Sequence, residues 1–188
     1  MSDLTKTALL LIDIQQGLDE LEFYGGDRNN PQAELNCQKL LEYFRANQLT
    51  YIFIQHDSTN PDSPLFLGKP GHQIKTEVTP LPDDMVIHKN VNSAFIGTNL
   101  ENVLKSKHID SVIICGLTTE HCISTSVRMS ANLGLKTTLI SDATAAFDKT
   151  INHKKYTAQL VHEIALANLK DEFATVISTD ELFKMLGQ

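Results

Sequence analysis

Uniformly apolar runs alternate along the chain with segments whose apolar residues return every three or four positions. The first run, Thr7–Ile12 (TALLLI), stops at Asp13 and reads as a buried strand with a carboxylate at its C-terminal edge. Residues 15–30 become rich in glycine and asparagine and read as loop. Asn30-Pro31 offers a helix N-cap and first helical position, and Leu35, Leu40, Leu41 and Phe44 follow on one helical face. Thr50–His56 is a second strand, and residues 85–88 form a third that ends against Lys89. Thr98-x-x-Glu101 has the form of a capping box opening a helix to about Lys107. Val112-Ile113-Ile114 predicts a fourth strand, 136–140 a fifth and 174–177 a sixth. Between the last two, Tyr156, Leu160, Ile164, Ala167 and Leu169 predict a helix across 152–170, and Ser178-x-x-Glu181 caps a terminal helix.

Strands that are apolar throughout, alternating with helices, predict an α/β domain whose mainly parallel sheet is covered on both faces. One such domain accounts for residues 1–188. Ligands of these sheets bind beyond the carboxyl ends of the strands, near the point where strand order reverses. Residues 57–82 hold five of the six prolines and form a long irregular excursion, a candidate lid or substrate wall.

Three chemically useful side chains fall at strand ends: Asp13 after the first, Lys89 after the third and Cys122 just past the fourth. Gly116 breaks the fourth strand and Thr119 offers an N-cap. Ile123, Val127, Ala131 and Leu133 then recur at near-helical spacing until Gly134 stops the helix. Cys122 therefore sits in the first turn of a helix, where free N–H groups and the helix dipole favour a thiolate. Taken singly, each group has an ordinary structural reading: a core thiol, a turn carboxylate, a surface lysine. Together on one rim they predict catalysis. Asp13 takes and returns a proton, Lys89 holds the charges and lowers the thiol pKa, Cys122 attacks a carbonyl, and N–H groups of the 116–122 turn receive the oxyanion.

The net charge of −7 argues against nucleic acid or an anionic membrane as partner. The three cysteines, Cys37, Cys115 and Cys122, form no CxxC pair and fit reduced thiols. Only five consecutive apolar residues precede Asp13, too few for a signal segment or a membrane span, so the expected location is cytoplasmic. No GxGxxG or P-loop is present to hold a nucleotide or flavin, and no cofactor is expected.

Over nearly its whole length the chain resembles the isochorismatase-like cysteine hydrolases, which include nicotinamidases, N-carbamoylsarcosine amidohydrolase and ureidoacrylate or biuret amidohydrolases. The resemblance rests on LLLIDIQQG, HKNVNSAFIGTNLENVL, IICGLTTEHCISTSVRMSANLGLKTTLISDATAAF and FATVISTDEL. It implies a three-layer α/β/α sandwich around a six-stranded Rossmann-like sheet, a triad of Asp13, Lys89 and Cys122, and a homo-oligomer, dimer or tetramer. It also implies a non-proline cis peptide just ahead of Thr118, which aims the N–H groups of Thr118 and Cys122 at the oxyanion.

Departures from the family narrow the substrate. Metal-dependent nicotinamidases carry Asp-x-His at the end of the second strand; here the triplet is Ile54-Gln55-His56. His56 with Asp57, and His72 in the long loop, remain as possible ligands, but three scattered groups make a weak metal case and no metal is expected. Some isochorismatases lack the cysteine, so Cys122 tilts the expectation toward C–N hydrolysis of a small amide or ureido compound; vinyl ether hydrolysis driven by Asp13 and Lys89 is the alternative. Phe95, the Asn92-Ser93-Ala94 run, Phe23, Tyr24, Phe66 and Gln15 are the expected pocket residues, with His88 and His121 outside it.

Overall fold

A computed structural model describes residues 4–187. Its strands and helices are β1 (Thr7–Ile12), α1 (Leu21–Tyr24), α2 (Ala33–Ala46), β2 (Thr50–His56), β3 (Val86–Lys89), α3 (Leu100–Ser106), β4 (Ser111–Leu117), α4 (Ser124–Asn132), β5 (Lys136–Ala145), β6 (Lys149–Ile151), β7 (Lys154–Tyr156), α5 (Ala158–Leu169), β8 (Thr175–Ile177) and α6 (Thr179–Met185). Six strands form one sheet in the order β3-β2-β1-β4-β5-β8, every pair parallel. Strand order reverses between β1 and β4, which places the expected binding crevice above the ends of those two strands. The expected six-stranded parallel sandwich is therefore observed.

Alternation along β1 shows why its run of apolar residues is needed. Ala8, Leu10 and Ile12 join a core with Leu100, Leu104, Ile114 and Val127, under α3 and α4. Leu9 and Leu11 join a second core with Leu40, Leu41, Phe44 and Leu182, under α2 and α6. Both faces of the sheet are thus dry, and each buried leucine contributes roughly 1.5–3 kcal/mol. Among the described residues no helix is long and apolar enough to cross a membrane.

Several local expectations are corrected. The 15–30 segment contains a 3₁₀ turn at Gln16–Asp19 and the one-turn α1. Asn30 does not cap α2, which begins at Ala33. Its amide instead donates to the carbonyls of Ser141 and Thr144, a long-range use invisible in a local pattern. Leu35 faces solvent while Cys37 joins Leu40, Leu41 and Phe44 in the core. Thr98 is not a capping-box residue: α3 begins at Leu100 after Asn99, whose side chain makes no cap bond, and the Thr98 hydroxyl donates to Ala94 O while accepting from Leu100 N. The sharpest difference lies at 149–156, where the chain forms the antiparallel hairpin β6–β7 and α5 begins only at Ala158. Asn152 and His153, with φ of 51° and 62°, make its two-residue turn with both central residues left-handed. The Ser178–Glu181 capping box of α6 is present in full.

Candidate active site

The three strand-end groups meet in one place. Asp13 follows β1 directly with a left-handed backbone (φ 53°), and its N–H bonds to Ile54 O on β2 at 2.8 Å. The chain thereby turns at the strand end and leaves the carboxylate in the crevice. Lys89 closes β3, and its side chain is fully buried. Its Nζ donates to Asp13 Oδ2 at 2.6 Å, to Val91 O at 3.2 Å and to Cys122 Sγ at 3.3 Å.

Cys122 hangs from the turn that follows β4. Contrary to expectation, β4 runs through Gly116 to Leu117, and Thr119–Ile123 is one turn of π-helix leading into α4. Thr119 does not cap this turn. Its hydroxyl instead pairs with His162 Nδ1 on α5 at 2.8 Å, pinning the turn from behind. The Leu117–Thr118 peptide is cis, as the family resemblance implies. Gly116 pairs with Ile12 across the β1–β4 register, and a Cβ built on it would lie 1.9 Å from the Ile12 carbonyl oxygen. Only glycine lets the two strands close at the point from which Asp13 and Cys122 diverge.

The electrostatics correct the expectation of a resting thiolate. Burial pushes the Cys122 thiol well up, and the Asp13 charge adds to the effect; the Lys89 ammonium opposes both without overcoming them. The thiol is therefore protonated at rest. Burial also works against the Lys89 ammonium, but Asp13 and Cys122 outweigh it and hold its pKa above the ordinary value. His56 Nδ1 lies 3.1 Å from Lys89 Nζ, and burial keeps that ring below its usual pKa, so it stands as a neutral acceptor.

Asp13, His56 and Cys122 line a cavity of about 170 Å³, with the fully buried Lys89 outside its lining. Leu18, Leu65, Leu117, Tyr24 and Phe147 give it apolar walls, while Ser63, His56, Asn92, Thr118, His121 and Lys149 add polar atoms. Tyr24 stacks on Phe147 with ring centroids 4.9 Å apart. Asp13 Oδ1, Tyr24 Oη and Thr118 Oγ1 are buried with no hydrogen-bond partner among the described residues. Lys149 is already paired with Glu120 at 3.1 Å. A larger cavity of about 320 Å³ lies beside this one along α5 and shares Lys149, but it holds none of the three strand-end groups.

Of the expected pocket residues, Tyr24 and Asn92 line the cavity. Phe95 is buried in the sheet–helix core instead, because the turn after β3 packs inward there. Phe23 is exposed and meets only the edge of Tyr24, and Phe66 lies outside the lining. Gln15 is fully buried but serves backbone: its amide donates to His56 O and His72 O and accepts from His56 N. His121, expected outside, is a wall residue. Ser63 and Leu65 come from the 57–82 excursion, which therefore does form a wall of the cavity.

The isochorismatase domain model matches residues 7–181. The chain is 49% identical to the isochorismatase family protein YrdC of Bacillus subtilis over 178 residues, 94% of each chain. It is similar to an isochorismatase-family structure from Chromobacterium violaceum with a TM-score of 0.93 and 41% identity, covering 100% of this chain and 96% of that one. A cysteine hydrolase from Pseudomonas syringae pv. phaseolicola aligns with a TM-score of 0.88 and 25% identity, covering 98% and 94%. With sequence, sheet order and strand-end chemistry in agreement, this chain belongs to the isochorismatase-like cysteine hydrolase family and is a hydrolase.

Proposed function

We propose that the protein hydrolyses the C–N bond of a small uncharged amide through an acyl group carried on Cys122. The observation that carries this reading is the buried Lys89 ammonium set between Asp13 Oδ2 (2.6 Å) and Cys122 Sγ (3.3 Å), two groups that line one cavity. Asp13 takes the thiol proton as sulfur bonds to the carbonyl carbon, and Lys89 keeps the anionic pair in place. The N–H groups of Thr118 and Cys122 receive the oxyanion. Collapse breaks the C–N bond, and Asp13 returns its proton to the leaving nitrogen. Water then attacks the thioester with Asp13 as base, releasing the acid and restoring the thiol.

Size and charge support an uncharged substrate over isochorismate. The cavity of about 170 Å³ is smaller than the ~300 Å³ at which pockets for drug-sized ligands begin. Isochorismate brings two carboxylates, whereas Lys89 is committed to Asp13 and Lys149 to Glu120. A homo-oligomer belongs to the same reading. It is supported by α5, which buries Ala158, His162, Ala165 and Leu169 yet leaves Leu160 and Ile164 exposed on another face.

The test is a panel of primary amides, ureido acids and isochorismate, offered to the wild type and to Cys122→Ala and Asp13→Asn. Amide turnover should fall by about 10⁴-fold or more in Cys122→Ala. Acid quench of the wild type should trap an acyl mass on the peptide bearing Cys122. Isochorismate turnover that survives Cys122→Ala but not Asp13→Asn overturns the cysteine mechanism.

A further inference from the structure

A second group of ligating side chains has no part in the triad. His56 and Lys89 pair in register across β2 and β3 and meet at 3.1 Å on one face, so the alternating neighbour His88 points to the opposite face of the sheet edge. There it meets Asp57, which follows β2, and His72 from the 57–82 excursion. Asp57 Oδ1 lies 2.7 Å from His72 Nε2 and 3.0 Å from His88 Nδ1, and the two rings are inclined by only 15°. The three ligand atoms lie within 4.8 Å of one another.

We propose that Asp57, His72 and His88 form a binding site for a divalent transition metal, with zinc as the best match. Two imidazoles and one carboxylate are a donor set that zinc takes with water in the remaining position. The ligands are held from behind as such sites require. Gln15 and Gln55 both donate to the His72 carbonyl, at 2.8 and 2.7 Å, and the Asp57 N–H is fixed by Lys89 O at 2.7 Å. The His88 side chain is 51% exposed, which gives the ion an entrance and room for water.

This is a different set from the Asp-x-His pattern of the metal-dependent nicotinamidases, which would fall on residues 54 and 56. Ile54 has no donor, and His56 faces Lys89. On binding, the two N–H···O contacts to Asp57 give way to two N–metal bonds and one O–metal bond. Each coordinating nitrogen gives up its hydrogen to do so, the ring carrying its proton on the other nitrogen, and no electron is transferred. At His72 that nitrogen, Nδ1, abuts the Gln55 amide at 3.3 Å; rotating the amide turns its oxygen to the proton and gives up its bond to the His72 carbonyl, which Gln15 still holds. The ion would tie the excursion that carries Ser63 and Leu65 to the ends of β2 and β3.

Chelator-stripped full-length protein is titrated calorimetrically with Zn²⁺, and with Co²⁺ followed by visible absorbance. One equivalent per chain should bind to the wild type and equally to Cys122→Ala and His56→Ala. His88→Ala and Asp57→Asn should weaken binding at least tenfold, and His88→Ala should keep its amide turnover. The Co²⁺ spectrum should lack a thiolate charge-transfer band, and Zn²⁺ should raise the Tm of the wild type but not of His88→Ala. Wild-type affinity in His88→Ala, or loss of binding in Cys122→Ala, overturns the proposal, because the ion then sits elsewhere. Absence of binding by the wild type at millimolar Zn²⁺ also overturns it. The calorimetric, spectral and Tm readouts are independent of which substrate the enzyme takes.

Discussion

Replacing Lys89 by methionine keeps the length of the side chain and removes its charge. In the native chain Lys89 Nζ lies 2.6 Å from Asp13 Oδ2, with the two side chains 0% and 3% exposed. Removing one partner of a buried pair strands the other charge, at a cost of about 3–5 kcal/mol. Lys105 and Glu101 form an internal comparison: their pair is as short, at 2.5 Å, but 71% and 41% exposed. Lys105→Met should cost only about 0.5 kcal/mol or less. With a urea m value of about 2 kcal/mol/M, the Lys89 variant should unfold roughly 1.5–2.5 M earlier than wild type. Asp13→Asn/Lys89→Met, which leaves no orphan charge, should recover most of that loss.

The pH dependence has a definite sign. In the wild type the Lys89 pKa is raised by its partners, so its contribution is complete below the ordinary lysine value near ~10.4 and fades as pH rises past the folded one. In the variant, Asp13 is left a buried carboxylate without its counter-ion. Urea titrations of the four proteins at pH 7 decide the matter. A Lys89→Met loss below about 1 kcal/mol at pH 7, or a double variant no better than the single, would refute the reasoning.

Gly116→Ala should leave little or no soluble folded protein, since its Cβ would collide with the Ile12 carbonyl at a φ of 121°; native yield and circular dichroism check this. Iodoacetamide should label Cys122 before Cys37 and Cys115, which are 1% and 0% exposed, and mass mapping reads the order. Because the Cys122 thiol is raised, its labelling should be slow at pH 7 and quicken as pH rises, by up to about tenfold per unit. Leu40→Ala should cost about 2–5 kcal/mol and Leu35→Ala under about 0.5 kcal/mol by urea titration, as one is buried and the other 44% exposed.

What could be read from the chain follows from how local each signal is. The central strands were legible because burial on both faces forces uninterrupted apolar runs, as in Thr7–Ile12. Asp13, Lys89 and Cys122 were legible because parallel strands deliver their C-terminal neighbours to a common rim. The β6–β7 hairpin was not, because its Asn152-His153 turn lacks glycine and Tyr156, Leu160 and Ile164 happen to keep helical spacing. The thiol's protonation was misjudged because the helix start is a short-range cue, whereas burial beside Asp13 is tertiary. Leu18, Ser63, Leu65 and Phe147 carried no local mark at all; their place in the cavity wall depends on loops that meet only in the folded chain.

Lys89 stands at the end of a four-residue edge strand, while Asp13 and Cys122 follow the two central ones. The proposed catalytic group is thus divided between the centre of the sheet and one of its edges. Strand ends at a sheet's margin open at far smaller free energies than its centre. A brief detachment of β3 would withdraw the ammonium and leave the other two groups where they were. Heat or mild denaturant should therefore silence the enzyme before any global probe registers a change, making activity a gauge of the periphery rather than of the core.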